Sequence, residues 1–257
     1  MKMFKKIMFF VVIATSFSFA TSASAGWERH PYLSHAYNYK HNGALLASWL
    51  GIPQFAQPTN YTCGSSTTSM QMVWETHKKG RAIRYDILSI HDYINSSGGP
   101  ESGLNTVELK QGQAKVIEYI NKTEKLGLNV TMNEAKMNSI KDAISDLNFR
   151  IGQNLSPAIM FGNVDIRGAS PGGHYYLVTG VIYCPEGTCN RDVMGLYIND
   201  SVYNSPAYNG GSLIRKQAIS PRDYVTAEEL ESYWEPTGSR WPWRRGHMYL
   251  WNSSQII

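Results

Sequence analysis

Three short stretches of the chain carry residue types suited to covalent chemistry. The first runs from Gln57 to Trp74 and centres on Thr62-Cys63-Gly64-Ser65. Cys63, Thr67, Met70, Trp74 and His77 recur at steps of four and three, which marks one face of an α-helix. Thr62 stands where its hydroxyl would cap that helix, and Gly80 where the helix would stop. Cys63 is then at the positive end of the helix dipole, where a thiol gives up its proton more readily. Gly64 has no Cβ and would let the backbone pass close to a bound substrate. Gln57 lies on an extended segment marked by Pro58. Its amide, with the Cys63 N–H, would hold the oxygen of a carbonyl under attack. Taken alone, a single Cys is more often a buried structural residue.

The second stretch is Gly172-Gly173-His174, which opens the aromatic-rich run from Tyr175 to Val181. An imidazole at the mouth of a buried strand is held rigidly and suits the general base of a thiol. The third is Tyr197-Ile198-Asn199-Asp200-Ser201, a strand running into a turn. Either Asn199 or Asp200 could accept from the far ring nitrogen of His174 and fix its tautomer. Strand side chains alternate, so one of the two should serve, and spacing does not choose. Each stretch has a bland reading of its own, a strand-edge His or an ordinary Asn-Asp turn. Their occurrence together with Cys63 favours chemistry.

These groups need elements to hold them. Beyond the Cys63 helix, Tyr85 to Ile94 reads as a helix capped by Asp86. Leu104 to Leu126 reads as a longer helix with Gly112 as a weak point, and Met137 to Ile151 as another. Gly26 to Ala56, aromatic and weakly periodic, reads as irregular structure over the domain surface. Pro157 to Val164, Tyr175 to Tyr183, Met194 to Ile198 and Arg245 to Trp251 read as strands. Thr226 to Trp234 reads as a short helix with a capping box closed by Glu229. Helices first and a mainly antiparallel sheet after them make an α+β fold. The thiol and imidazole would meet at the seam between the halves.

The bulk features narrow the setting. Lys2, Lys5 and Lys6, the apolar run Ile7 to Ala14 and the ending Ala23-Ser24-Ala25 have the form of a secretory signal peptide. Residues 1–25 are therefore expected to be that signal, and residues 26–257 one domain, secreted or periplasmic. No later run reaches the ~20 apolar residues of a membrane span. Without the three lysines of the signal, 21 of the 24 basic residues face 20 acidic ones. A balance this even gives no electrostatic case for nucleic acid. His30, His35 and His41 lack neighbouring carboxylate or thiol ligands, so no metal is expected there. Cys184 and Cys189 flank the turn-rich Pro185-Glu186-Gly187-Thr188, and in an oxidising compartment they are expected to pair as a disulfide. Cys63 is then the odd thiol, free and reactive.

The pattern Gln57…Tyr61-Thr62-Cys63-Gly64, then Gly173-His174-Tyr175, then Asn199-Asp200, resembles the papain-like cysteine peptidases. It looks closest to the bacteriocin-leader-processing (double-glycine) peptidases and their stand-alone relatives. The likeness spans most of residues 26–257 but is carried by three short motifs. It implies a papain-like fold, with Cys63 as nucleophile, His174 as base, Asp200 rather than Asn199 orienting the base, and Gln57 in the oxyanion hole. The family often has Asp where this chain has Thr62, and Pro where it has Ser65 and Ser201. These departures remove no reacting group but bear on substrate preference. The expected activity is hydrolysis of peptide or amide bonds, with a protein or peptide substrate and no cofactor. The same groups would support amide-bond transfer or cleavage of peptidoglycan peptides. The rival from another class is a non-catalytic binding domain that kept the fold. The Trp241-Pro242-Trp243-Arg244-Arg245 run reads as a turn before the last strand.

Overall fold

The computed structural model describes residues 27–29, 36–41, 44–95, 103–137, 145–147, 150–151, 157–163, 173–184, 193–202, 205, 225–226 and 248–255. Within them the fold is α+β, of papain-like type. Helix α1 (Cys63–His77) packs against an antiparallel sheet, with α2 (Ile87–Ile94) and α3 (Thr106–Glu124) beside it.

Helix α1 has no solvent face: every residue from Cys63 to Thr76 is buried. A helix so rich in Ser and Thr survives there because its hydroxyls find partners. Thr67 donates to Cys63 O at 3.1 Å, Thr68 to Gly64 O at 2.8 Å and Thr76 to Met72 O at 2.8 Å. These are the back-bonds that short hydroxyl side chains make inside helices. Ser69 donates to Tyr85 O at 2.6 Å, tying α1 to the neighbouring strand β4 (Ile83–Tyr85). Gln113 of α3 donates to Thr68 Oγ1 at 3.2 Å and Gln71 Oε1 at 3.1 Å, so the α1–α3 contact is partly polar.

Two glycines set how closely the elements approach. A Cβ on Gly64 would stand 3.2 Å from the Tyr175 ring and 3.3 Å from Leu104. The small residue after the thiol therefore lets α1 pack closely on the sheet. A Cβ on Gly112 would fall 2.1 Å from Ile94, which makes Gly112 the point where α3 crosses α2. The caps follow the sequence more closely. Asp86 accepts from Ser89 N at 2.8 Å, and Asn105 with Glu108 forms a capping box on α3.

The main sheet runs β2 (Ala36–His41), β3 (Ala44–Leu50), β7 (Gly173–Tyr183), β6 (Ala158–Asn163), β10 (Met248–Gln255), β5 (Val130–Met137). A further strand, β8 (Val193–Asn199), pairs with β7 and carries β9 (Val225–Thr226). Strand β1 (Trp27–Arg29) pairs separately with β4. Strand β7 is the spine. It pairs with β6 over Gly173–Val178, with β3 over Gly180–Ile182 and with β8 from Leu177 to Tyr183. Its residues 174–181 are all buried.

Several expectations change. Gly26 to Ala56 is not irregular, because it supplies β1, β2 and β3. Met137 closes a strand rather than opening a helix; of the helix expected to Ile151, residues 145–147 and 150–151 are helical. Thr226 ends β9, and the rest of the helix expected from it lies outside the described residues. The disulfide expected between Cys184 and Cys189 is not described, because Cys189 lies outside the described residues. Cys184 is not a free thiol. The β7–β8 hairpin is held by its own ladder down to Tyr183↔Val193. Residues 1–25, His30, His35, residues 227–234 and Trp241 to Arg245 lie outside the described residues. Among the described residues no helix is long and apolar enough to cross a membrane.

Candidate active site

Cys63 is the first residue of α1, buried with 8% of its surface exposed. Among the described residues it is the free cysteine. Burial pushes its thiol pKa up, as for any group that must ionise away from water. The His174 imidazole outweighs this, as hydrogen-bond partner and as positive charge, helped by backbone hydrogen bonds from Tyr175 and Gly64. The net result is a thiol held below its ordinary value.

Burial alone would also keep the His174 ring neutral. Asp200 reverses that, through its charge and through a hydrogen bond from Nε2 to Oδ1 of 2.7 Å. Cys63 adds to the same effect, and the ring's pKa is raised well above its ordinary value. Because Nε2 is engaged by Asp200, the nitrogen turned to the sulfur is Nδ1. The same Asp200 oxygen accepts from Val202 N at 3.0 Å, so the carboxylate is fixed by its own turn. The Tyr176 ring stands edge-on to the imidazole, with centroids 4.5 Å apart. His174 is 1% exposed and Asp200 2%, so the pair is screened little by water or salt.

The choice between Asn199 and Asp200 is made by the end of β8. Asn199, paired with Leu177, sends its amide to Ile52 O at 2.9 Å. Asp200, one residue on, meets His174.

Gln57 is fully buried. Its Nε2 donates to Thr59 O at 2.6 Å, and its Oε1 accepts from Ser201 Oγ at 2.8 Å. Its backbone is held as well, with Gln57 N donating to Ser201 O at 2.7 Å and Ser205 Oγ donating to Gln57 O at 2.5 Å. Gln54 Nε2 donates to Asp200 O at 2.8 Å. The segment before α1 and the turn after β8 are thus stitched together through both side chains and backbone. Sequence reasoning named Ser201 as a departure from a pattern and did not single out Thr59, Gln54 or Ser205. Their one available signal was nearness in sequence to Gln57 and Asp200.

Thr62 does not cap α1 with its side chain. At φ −96°, ψ 18° its backbone is not in the extended form from which an N-cap hydroxyl reaches the first turn. The hydroxyl accepts from Thr59 N at 3.3 Å and donates to Thr59 O at 3.3 Å, closing the turn that carries the Gln57 partner.

A second buried histidine, His91, lies near the start of α1. Its Nδ1 is 3.1 Å from Ser65 Oγ, its Nε2 3.3 Å from Asn95 Nδ2, and its ring packs on Tyr61. Burial lowers its pKa, and the adjacent acids Asp92 and Glu108 do not overcome that. Both rings are nearly solvent-free, yet the pKa of one is lowered and that of the other raised. The difference is a carboxylate in direct contact. Among the described residues no cluster of His, Cys, Asp or Glu is arranged to hold a metal ion.

No protein-family model matches the chain, and no curated protein does. Among solved structures, a protein described as a C39-like peptidase from Bacillus anthracis is 14% identical at a TM-score of 0.43, over 78% of this chain and 94% of that one. UfSP from C. elegans is 12% identical at 0.45, over 90% of this chain. The match spans 38% of that protein. The Salmonella effector SpvD is 10% identical at 0.35, over 85% of this chain and 86% of that one. The likeness is a distant one to papain-like cysteine-peptidase folds and singles out no one family.

Proposed function

We propose that this protein is an exported cysteine peptidase acting through Cys63, His174 and Asp200, with Gln57 in the oxyanion hole. The reading is carried by one observation: a buried imidazole hydrogen-bonded to Asp200 at 2.7 Å and close enough to the Cys63 thiol to lower its pKa. In that arrangement the resting site is a thiolate–imidazolium pair. The sulfur attacks the carbonyl carbon of a peptide or amide bond, and the C–S bond forms as the carbonyl electrons move to oxygen. The Cys63 N–H and the second N–H of the Gln57 amide receive that oxygen. His174 Nδ1–H passes its proton to the leaving nitrogen as the C–N bond breaks. Water then attacks the thioester, giving a proton back to the imidazole, and the acid leaves as the C–S bond breaks. Each group returns to its starting state, and no cofactor is needed. The narrower assignment, to peptidases of the leader-processing kind, rests on the three sequence motifs. Export rests on the form of residues 1–25.

The direct test is incubation of the purified protein with a mixed peptide library, read by mass spectrometry. The wild type should cut a subset of peptides, and Cys63→Ala should cut none while its melting temperature stays nearly the same. Equal cleavage by the Cys63→Ala variant would remove the proposal.

A further inference from the structure

The sequence offers Asn199 and Asp200 for one task, orienting His174, and Asp200 takes it. Asn199 is left with a task of its own. We propose that Asn199 is a positioning residue: its amide fastens the end of β8 to helix α1 and to the segment that leads to Gln57, and so holds Asp200 where it meets the imidazole. The inference rests on the cysteine-peptidase reading above and extends it to a residue outside the reacting set.

The reacting groups arrive on separate pieces of chain. Cys63 opens α1, Gln57 lies on the segment before it, and Asp200 follows β8. Asn199 is fully buried, so its amide hydrogens need acceptors. Ile52 O is an acceptor only, so the end of the amide 2.9 Å from it is the nitrogen. The same nitrogen donates to Met70 Sδ at 3.9 Å. Met70 is fully buried and lies about two turns along α1 from Cys63, on the same face. A thioether is a weak acceptor, yet this one also accepts from Phe55 N at 3.3 Å. The sulfur is therefore shared by α1, by the stretch that leads to Gln57 and by the end of β8. Other ties in this region, from Gln57 N to Ser201 O and from Gln54 Nε2 to Asp200 O, join the turn to the segment but do not reach α1. Asn199 adds the tie to the helix that carries the thiol. Without it the carboxylate one residue on is free to drift from His174 Nε2, and the imidazolium loses part of its support.

Two reagents separate this role from general support of the fold. Iodoacetamide is attacked by thiolate in a displacement that develops no oxyanion, so its rate against pH reads the Cys63–His174 pair alone. p-Nitrophenyl acetate passes through a tetrahedral oxyanion, so its acylation of Cys63 reads the pair and the oxyanion hole together. Asn199→Leu keeps the branched shape and removes both donated hydrogen bonds. The acidic edge of its alkylation rate should lie about one pH unit above that of the wild type, because the charge of Asp200 is less well placed. Its acylation at neutral pH should fall on the order of tenfold, within the ~10²-fold that a slight misplacement costs. Met70→Leu, a swap that cores tolerate, removes the shared sulfur and should move the edge the same way by a smaller amount. In the double variant the shift should be less than the sum of the two, because both act through one contact. Gly112→Ala, which disturbs the α2–α3 crossing, is the control for lost stability and should leave the edge in place. An unshifted edge or unchanged acylation in Asn199→Leu would overturn the assignment. So would an equal shift in Gly112→Ala at a comparable loss of melting temperature, or additive shifts in the double variant. Should Asn199→Leu fail to fold, Met70→Leu decides, and an unshifted edge there would overturn the proposal. Slow alkylation of the wild type itself at neutral pH would instead refute the underlying reading, so the two failures are distinct.

Discussion

At the scale of single residues, the site turns on how charge is kept in a dry place. Desolvation disfavours both the thiolate and the imidazolium; each favours the other, and Asp200 favours the imidazolium. The sign of a perturbation follows. Asp200→Asn keeps an oxygen for His174 Nε2 but loses the negative charge that does most to raise the imidazole pKa. The imidazole pKa should fall, and the thiol pKa should rise as its cationic partner weakens. The acidic edge of Cys63 alkylation should therefore move to higher pH, and the basic edge of ester acylation to lower pH, narrowing the active window from both sides. Stopped-flow rates over pH would show it, and an unshifted window would mean that Asp200 is not the group sustaining the pair. Cys63, His174, Asp200 and Gln57 could be singled out from the sequence because their types are distinctive, and the first three stand at element boundaries. Ser201 could not, because a serine in a turn carries no signal until the fold sets Gln57 beside it.

At the scale of elements, a local preference meets a packing constraint at Gly112. By helix propensity alone, Ala at this position of α3 would be better by about 1 kcal/mol. A Cβ there would stand 2.1 Å from Ile94, so α2 and α3 would have to part. Overpacking of that kind costs roughly 1–3 kcal/mol and outweighs the propensity gain. Gly112→Ala should lower the urea midpoint, and Ile94→Ala added to it should lower it less than the two separate losses predict. Simple additivity would mean that the two residues are not in contact. The sequence marked Gly112 as a defect because the helical period shows no neighbours. It missed β5 for a related reason: Thr-Met-Asn-Glu-Ala-Lys-Met has little apolar alternation. The segment is extended because Val130–Met137 pairs residue for residue with Met248–Gln255. Pairing across more than a hundred residues leaves no local mark.

At the scale of the whole molecule, β7 joins the parts. It carries His174 at its start, meets α1 through Tyr175 and Gly64, and is flanked further along by β3. The segment before Gln57 is consequently part of the sheet, not a detachable restraint. Deleting residues 1–50 removes the strand paired with Gly180–Ile182 and should leave a chain without a cooperative thermal transition by circular dichroism. A folded, alkylation-competent product would show the segment to be dispensable. The α+β layout and the seam between its halves were legible from the change of period along the chain. The strands between Trp27 and Leu50 were not, since short runs broken by polar residues look the same in a loop.

The central claim is that Cys63 and His174 form an ion pair, and the iodoacetamide rate of Cys63 against pH tests it most directly. The wild type should react fast through neutral pH and keep reacting well below the ordinary thiol range near about 8.5. In His174→Ala burial remains while its counterweight is gone, so the profile should move above that range. A wild-type profile like that of an ordinary thiol, or no shift in the variant, would contradict the account.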